Sequence, residues 1–145
     1  MSFVDSSLLS EPLQQLQSES PELTPEEMER LYASAFSFYQ MSRYTQAIPI
    51  FERLLLYRPY EARFWRGLAA SRQMATRTKE ALCAWAALCL LSERAASDHF
   101  HAAECLLALG EKAEALKALH LAEKEMSSSD PLSARVALLK ERVCG

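Results

Sequence analysis

Glycine is scarce in this chain, 3 in 145 residues, and proline is limited to 6. So few breakers exclude the many tight turns of a large β sandwich, and a fibrous or low-complexity chain with them. A dominant charge is also missing. Lys and Arg number 16 against 19 Asp and Glu, a formal net charge of -3, which gives no general attraction to nucleic acid or to an anionic membrane surface. Long apolar runs are absent. The longest, Ala81 to Leu91, has 11 residues, where a membrane span needs about 20; no direct membrane insertion is expected, and the run reads as a helix buried on all sides. The four cysteines, Cys83, Cys89, Cys105 and Cys144, form no CxxC and no paired framework, so they are expected to stay reduced. The opening MSFVDSSLLSEP lacks the basic start and small-residue cleavage site of a secretory leader, and a cytoplasmic chain is expected.

The patterns of catalysis are missing as well. There is no Gly-rich phosphate loop, no GxSxG, and no acid pair set apart in an apolar pocket, while the three histidines occupy ordinary helical positions. A non-enzyme without a cofactor is expected. His101 and Cys105 stand four apart on one helix face, with His99 nearby, but no second pair completes four ligands, so no metal is expected.

What the chain does contain is a repeat. Half its residues are hydrophobic and 24% are charged, the composition of one folded, helix-rich domain. Ala47, Ala81 and Ala115 recur every 34 residues, in the contexts TQAIPIF, KEALCAW and AEALKAL. Four residues after each stands a large apolar side chain: Phe51, Trp85, Leu119. Twelve before each stands another alanine: Ala35, Ala69, Ala103. A 34-residue period with small residues at places 8 and 20 and a bulky one at 24 resembles the tetratricopeptide repeat. Small residues let the two helices of each hairpin approach, and the bulky one fills the gap beside them.

The fold class expected is therefore all-α: three tandem helical hairpins, a C-terminal capping helix and an N-terminal arm. Helices are expected near 25 to 41, 45 to 57, 60 to 74, 78 to 91, 96 to 108 and 112 to 125. A seventh starts at Asp130-Pro131, with Leu132, Val136 and Leu139 covering the last hairpin. Thr24-Pro25-Glu26-Glu27 reads as a capping box. Pro59 suits the end of a helix, and Pro49 is expected near a first turn, where it costs little. The repeats run over about 28–61, 62–95 and 96–129, the cap over 131–143. Residues 1–24 are read as an arm with a short helix about Leu9, Leu13 and Leu16.

Charge is unevenly spread. Residues 1–27 carry six acids and no base, whereas 43–79 carry eight bases against two acids. The basic stretch Arg58, Arg63, Arg66, Arg72, Arg77 and Lys79 reads as a solvated face, or as a receiver for the acidic arm, rather than as a nucleic-acid site.

Three stretches carry a more specific likeness: LYASAFSFYQMSRYTQA (31–47), ARFWRGLAASRQ (62–73) and HFHAAECLLALGEKAEAL (99–116). They resemble the matching parts of the class II chaperones of bacterial type III secretion, the LcrH/SycD type, over roughly residues 25–126. The resemblance implies a cytoplasmic chaperone whose partners are hydrophobic secreted translocator subunits, held by an extended N-terminal segment before secretion, with a homodimer as a further association. The alternatives are a generic repeat adaptor and a chaperone of the needle subunit.

The residues independently suggest where a client would lie. The helix from 25 carries a core stripe, Leu31, Ala35 and Phe38, and a second apolar stripe, Tyr32, Phe36 and Tyr39, that a hairpin does not need for its own packing. At the same repeat places follow Arg66, Ala70 and Gln73, then Phe100, Glu104 and Leu107. Tyr44 and Arg63 complete the expected client-binding set. Such a groove is aromatic at one end, polar and basic in the middle and apolar again at the far end, which suits an extended apolar peptide whose backbone is bonded by Arg and Gln side chains; the alternative is that the N-terminal arm or a second copy of the chain covers Tyr32, Phe36 and Tyr39. Tyr32 and Phe36 also stand where repeats that grip acidic peptide tails carry Lys and Asn, so an acidic tail has no partner there.

Overall fold

The computed structural model describes residues 22–92 and 96–145. Within them the chain forms seven helices and no strand: α1 (Pro25–Gln40), α2 (Tyr44–Tyr57), α3 (Ala62–Met74), α4 (Thr78–Leu91), α5 (Ala96–Ala108), α6 (Lys112–Glu125) and α7 (Leu132–Cys144). The expected helix about Leu9, Leu13 and Leu16, and the arm as far as residue 21, lie outside the described residues.

Local chemistry sets the boundaries. Glu27 N–H donates to Thr24 Oγ1 at 3.1 Å and Thr24 N–H to Glu27 Oε1 at 3.4 Å, with Pro25 at the first helical position, so the capping box opens α1. Three hairpin turns share one geometry. Arg43, Arg77 and Glu111 each donate a backbone N–H to the carbonyl five residues back, and Ser42, Thr76 and Gly110 to the one three back. This is the Schellman closure, which puts its middle residue in the left-handed region; Ser42 and Thr76 have φ 61° and Gly110 φ 81°. After α2 the chain turns at Pro59, whose carbonyl accepts the Trp65 indole N–H at 2.7 Å, and α3 begins at Ala62 rather than near 60. Asp130 Oδ1 takes the Leu132 N–H at 2.9 Å to start α7.

Successive helices pack as neighbours, and α1 also meets α3 and α5 meets α7. Hence α1, α3 and α5 form one layer and α2, α4 and α6 the other. All six alanines of places 8 and 20, Ala35, Ala47, Ala69, Ala81, Ala103 and Ala115, are wholly buried, as are Phe51 and Leu119 of place 24, with Trp85 nearly so. Each such large side chain taken from water stabilises the fold by about 1.5–3 kcal/mol. Val136, Leu139 and Val143 of α7 seal the last hairpin, with Leu132 half-buried beside them.

Two expectations fail. The Ala81–Leu91 helix is not buried on all sides: Cys83, Ala86 and Leu90 are exposed, because α4 lies in the outer layer and only its inner face meets α3 and α5. Pro49 is the sixth residue of α2, beyond the first turn. Its missing N–H leaves the Thr45 carbonyl without its helical partner, on a face where both residues are exposed to water.

Candidate functional site

On the inner layer, α1, α3 and α5 enclose a cleft of about 280 Å³. Tyr32, Phe36 and Tyr39 of α1 form one wall, Arg63, Arg66, Gly67 and Ala70 of α3 the middle, and Ser97, Asp98 and His101 of α5 the far wall; Phe51 and Trp85 reach through from the outer layer as its floor. The one-residue offset of the second α1 stripe thus becomes a half-exposed aromatic face. Tyr32 lies 6.2 Å from Phe36, ring centre to ring centre, and 5.7 Å from Phe64, and Tyr39 meets the edge of Tyr44 at 5.4 Å. Burial and the neighbouring Tyr44 push the Tyr39 phenol above its usual range.

Gly67 makes the cleft's depth. A Cβ there would sit 2.3 Å from the Phe51 ring, so only glycine lets α3 approach α2 at this level.

Three of the basic side chains meet carboxylates. The Arg63 guanidinium stacks 4.7 Å over Tyr32 and bonds Glu29 at 2.8 Å and Glu61 at 3.1 Å. These hydrogen bonds hold Glu29 below and Arg63 above their ordinary values, Arg63 being opposed by a smaller desolvation. Arg66 lies 3.5 Å from Asp98, and Arg72 pairs with Glu52 at 3.4 Å. Half of the basic stretch, Arg63, Arg66 and Arg72, therefore ties neighbouring helices together.

Of the expected client-binding residues, the fold brings Tyr32, Phe36, Tyr39, Arg63, Arg66 and Ala70 to one cleft. Tyr44 supports it from behind Tyr39. Gln73 and Glu104 lie outside its lining, bonded to one another at 3.2 Å, and Leu107 packs half-buried against the last core cluster. Phe100 is a correction: at 3% exposure it belongs to that core, with Arg135 of α7 4.7 Å over its ring, so the groove does not turn apolar at its far end. Gln73 does not line this cleft; its amide carbonyl takes the Trp85 indole N–H at 2.8 Å and its NH₂ donates to Glu104, which leaves one N–H and one carbonyl lone pair unspent.

Sequence reasoning missed Gly67, Ser97, Asp98 and His101. The 34-residue register carries part of that signal: Gly67 and His101 share one repeat place, next to the place of Arg66.

No protein-family model matches the chain. It is 34% identical over 125 residues to the low calcium response locus protein H of Yersinia pestis, covering 84% of this chain and 74% of that protein. Among solved structures, the Yersinia enterocolitica type III secretion chaperone SycD, in complex with a peptide of the translocator YopD, matches with TM-score 0.79 and 32% identity over 86% of this chain and 97% of its own. PcrH, known also from Pseudomonas aeruginosa crystals without a named ligand, matches in complex with the chaperone-binding region of PopD at TM-score 0.79 and 30% identity, over 86% of this chain and 96% of its own. Identity kept over most of both partners, on a shared helical-repeat fold, makes this chain a member of the LcrH/SycD family of type III secretion translocator chaperones.

Proposed function

We propose that this chain is a cytoplasmic holding chaperone that binds hydrophobic translocator subunits before their secretion and shields an extended apolar segment of them in the cleft between α1, α3 and α5. The observation that carries the reading is the aromatic wall: Phe36 keeps 45% of its surface exposed beside Tyr32 and Tyr39. Large apolar side chains gathered in a concave, part-open site mark a place for an apolar partner. The related chaperones SycD and PcrH, crystallised with translocator peptides, support the choice of client. No helix among the described residues is long and apolar enough to cross a membrane, which fits a chain working beside the export machinery. The role is one of holding, without chemistry on the client.

The test is copurification of the tagged chain from its native host. A hydrophobic secreted subunit should come with it, and Phe36→Ala together with Tyr39→Ala should lose that subunit while melting near the parent temperature. Recovery of the same subunit by the double variant would put the client elsewhere. A needle subunit, or a partner unconnected with secretion, would replace the reading by one of the two alternatives.

A further inference from the structure

The far wall of the cleft contains a closed circuit of side chains. Trp85 Nε1 donates to Gln73 Oε1 at 2.8 Å, Gln73 Nε2 donates to Glu104 Oε1 at 3.2 Å, and that oxygen lies 2.7 Å from His101 Nδ1. The His101 ring closes the circuit by stacking on Trp85, 4.7 Å away and 24° from parallel. Residues of α3, α4 and α5 thereby fix one another around a single imidazole, which lines the cleft.

The circuit sets the tautomer. Burial works to raise the Glu104 carboxyl, but the hydrogen bonds from His101 and the Gln73 amide, with Arg135 nearby, outweigh it and hold the group below the usual carboxylate range. A carboxylate only accepts, so the shared proton sits on Nδ1. A neutral ring protonated at Nδ1 carries its lone pair on Nε2, and Nε2 takes no hydrogen bond from the described residues.

An extended client segment presents both N–H and C=O groups to the cleft. Arg66 can serve only the carbonyls, since a guanidinium has no acceptor. Side-chain acceptors on the described lining are Asp98, 1% exposed and already facing Arg66, the hydroxyls of Ser97, Tyr32 and Tyr39, and the His101 ring, which alone of these is held both by a carboxylate and by a stacked indole. We propose that His101 Nε2 accepts a hydrogen bond from a backbone N–H of the bound client, with Glu104 as the positioning residue that fixes the tautomer. The inference rests on the client reading of the same cleft. Among the described residues, the charged groups around the ring are Asp98 and Glu104 on α5, Arg66 on α3 and Arg135 on α7; α4 presents the Trp85 indole.

The test has two arms. In the free, full chain, imidazole nitrogen NMR at about pH 7.5 should show His101 as the Nδ1–H form, and Glu104→Gln should yield a mixture of tautomers; histidine is the side chain that changes charge between about pH 5 and 8. An Nε2–H ring in the parent chain overturns the inference with no client involved. In the second arm, a fluorescent peptide from the copurified translocator is titrated into the parent, Glu104→Gln and His101→Phe chains, with a melting curve of each. His101→Phe keeps a ring over Trp85 but offers no acceptor, so it should bind roughly tenfold more weakly than the parent, the scale of a hydrogen bond left unpaired. Glu104→Gln should lose part of that affinity in step with its fraction of the other tautomer. Equal affinities of the parent and His101→Phe would overturn the role of Nε2. Absence of any copurifying translocator fails the client reading itself, and the inference falls with it whatever the tautomer.

Discussion

Helices α1 and α5 occupy the same layer and the same repeat register, yet their second stripes end differently. On α1, Tyr32, Phe36 and Tyr39 line an open cleft, and Phe36 is 45% exposed; on α5, Phe100, at the place of Tyr32, is 3% exposed. Both are aromatic residues pointing to the inner face, so residue type does not explain the contrast. What differs is the next element. Helix α7 packs on α5 and α6, sends Val136 and Leu139 into the core that contains Phe100, and lays Arg135 over its ring. Repeat place sets the direction of a side chain, and the neighbouring layer decides whether that direction is a groove or a core.

That comparison breaks most visibly at its buried end. Phe100→Ala should lower stability by about 3–5 kcal/mol, since it leaves a cavity under α7 that the surroundings only partly fill, and Trp85→Ala should fall in the same range. Denaturant unfolding of both, beside Phe36→Ala, measures the contrast. If Phe100→Ala costs no more than Phe36→Ala, α7 does not cover α5 as described.

The middle of the groove comes next. Gly67→Ala forces a methyl to within 2.3 Å of the wholly buried Phe51 ring. Overpacking of this kind costs about 1–3 kcal/mol. It also tilts α3 away from α2, so client binding should fall with stability. A variant that melts normally would show that the two helices stand further apart.

At the open end the effects separate. Phe36→Ala should change stability by less than about 1 kcal/mol but weaken client binding by about 1–3 kcal/mol, the usual cost of truncating an aromatic anchor. Copurification of the client with each variant, set against its melting curve, distinguishes the two. Equal losses in Phe36→Ala and Trp85→Ala melts would move the α1 stripe into the core.

Much of this was legible in the sequence because the repeat is written in residues that pack. Ala35 and Ala47, with their counterparts 34 and 68 residues on, mark helix contacts directly, and Thr24-Pro25-Glu26-Glu27 marks a helix start by its own hydrogen bonds. The aromatic wall was legible for the opposite reason, as an apolar stripe that no hairpin needs. The far wall was not. Asp98 and His101 become cleft residues only through the stacking of α5 on α3 and α4, and the burial of Phe100 depends on Arg135, which lies 35 residues away along the chain. Periodicity gives the face of a helix, and tertiary contacts spend its side chains.

The smallest effect tests how alike the repeats are at their turns. The same Schellman closure holds Ser42, Thr76 and Gly110 in the left-handed region, but only the third is glycine. A left-handed L-residue costs roughly 1–2 kcal/mol, and Thr76, β-branched and exposed, makes one local bond, its hydroxyl to the Ala75 carbonyl at 2.6 Å. Thr76→Gly removes that strain while giving back some unfolded-chain entropy, so a net gain of about 0.5–1 kcal/mol is expected, or a rise in Tm of about 2–4 °C for a chain of this size. Gly110→Ala is the mirror experiment: its new Cβ meets nothing within 4 Å, so any loss reports backbone conformation alone. Opposite shifts of similar size in the two melting curves would establish that the three turns are one structure with different residues. A neutral Thr76→Gly beside a costly Gly110→Ala would mean that the threonine hydroxyl offsets the strain and that the turns differ in kind.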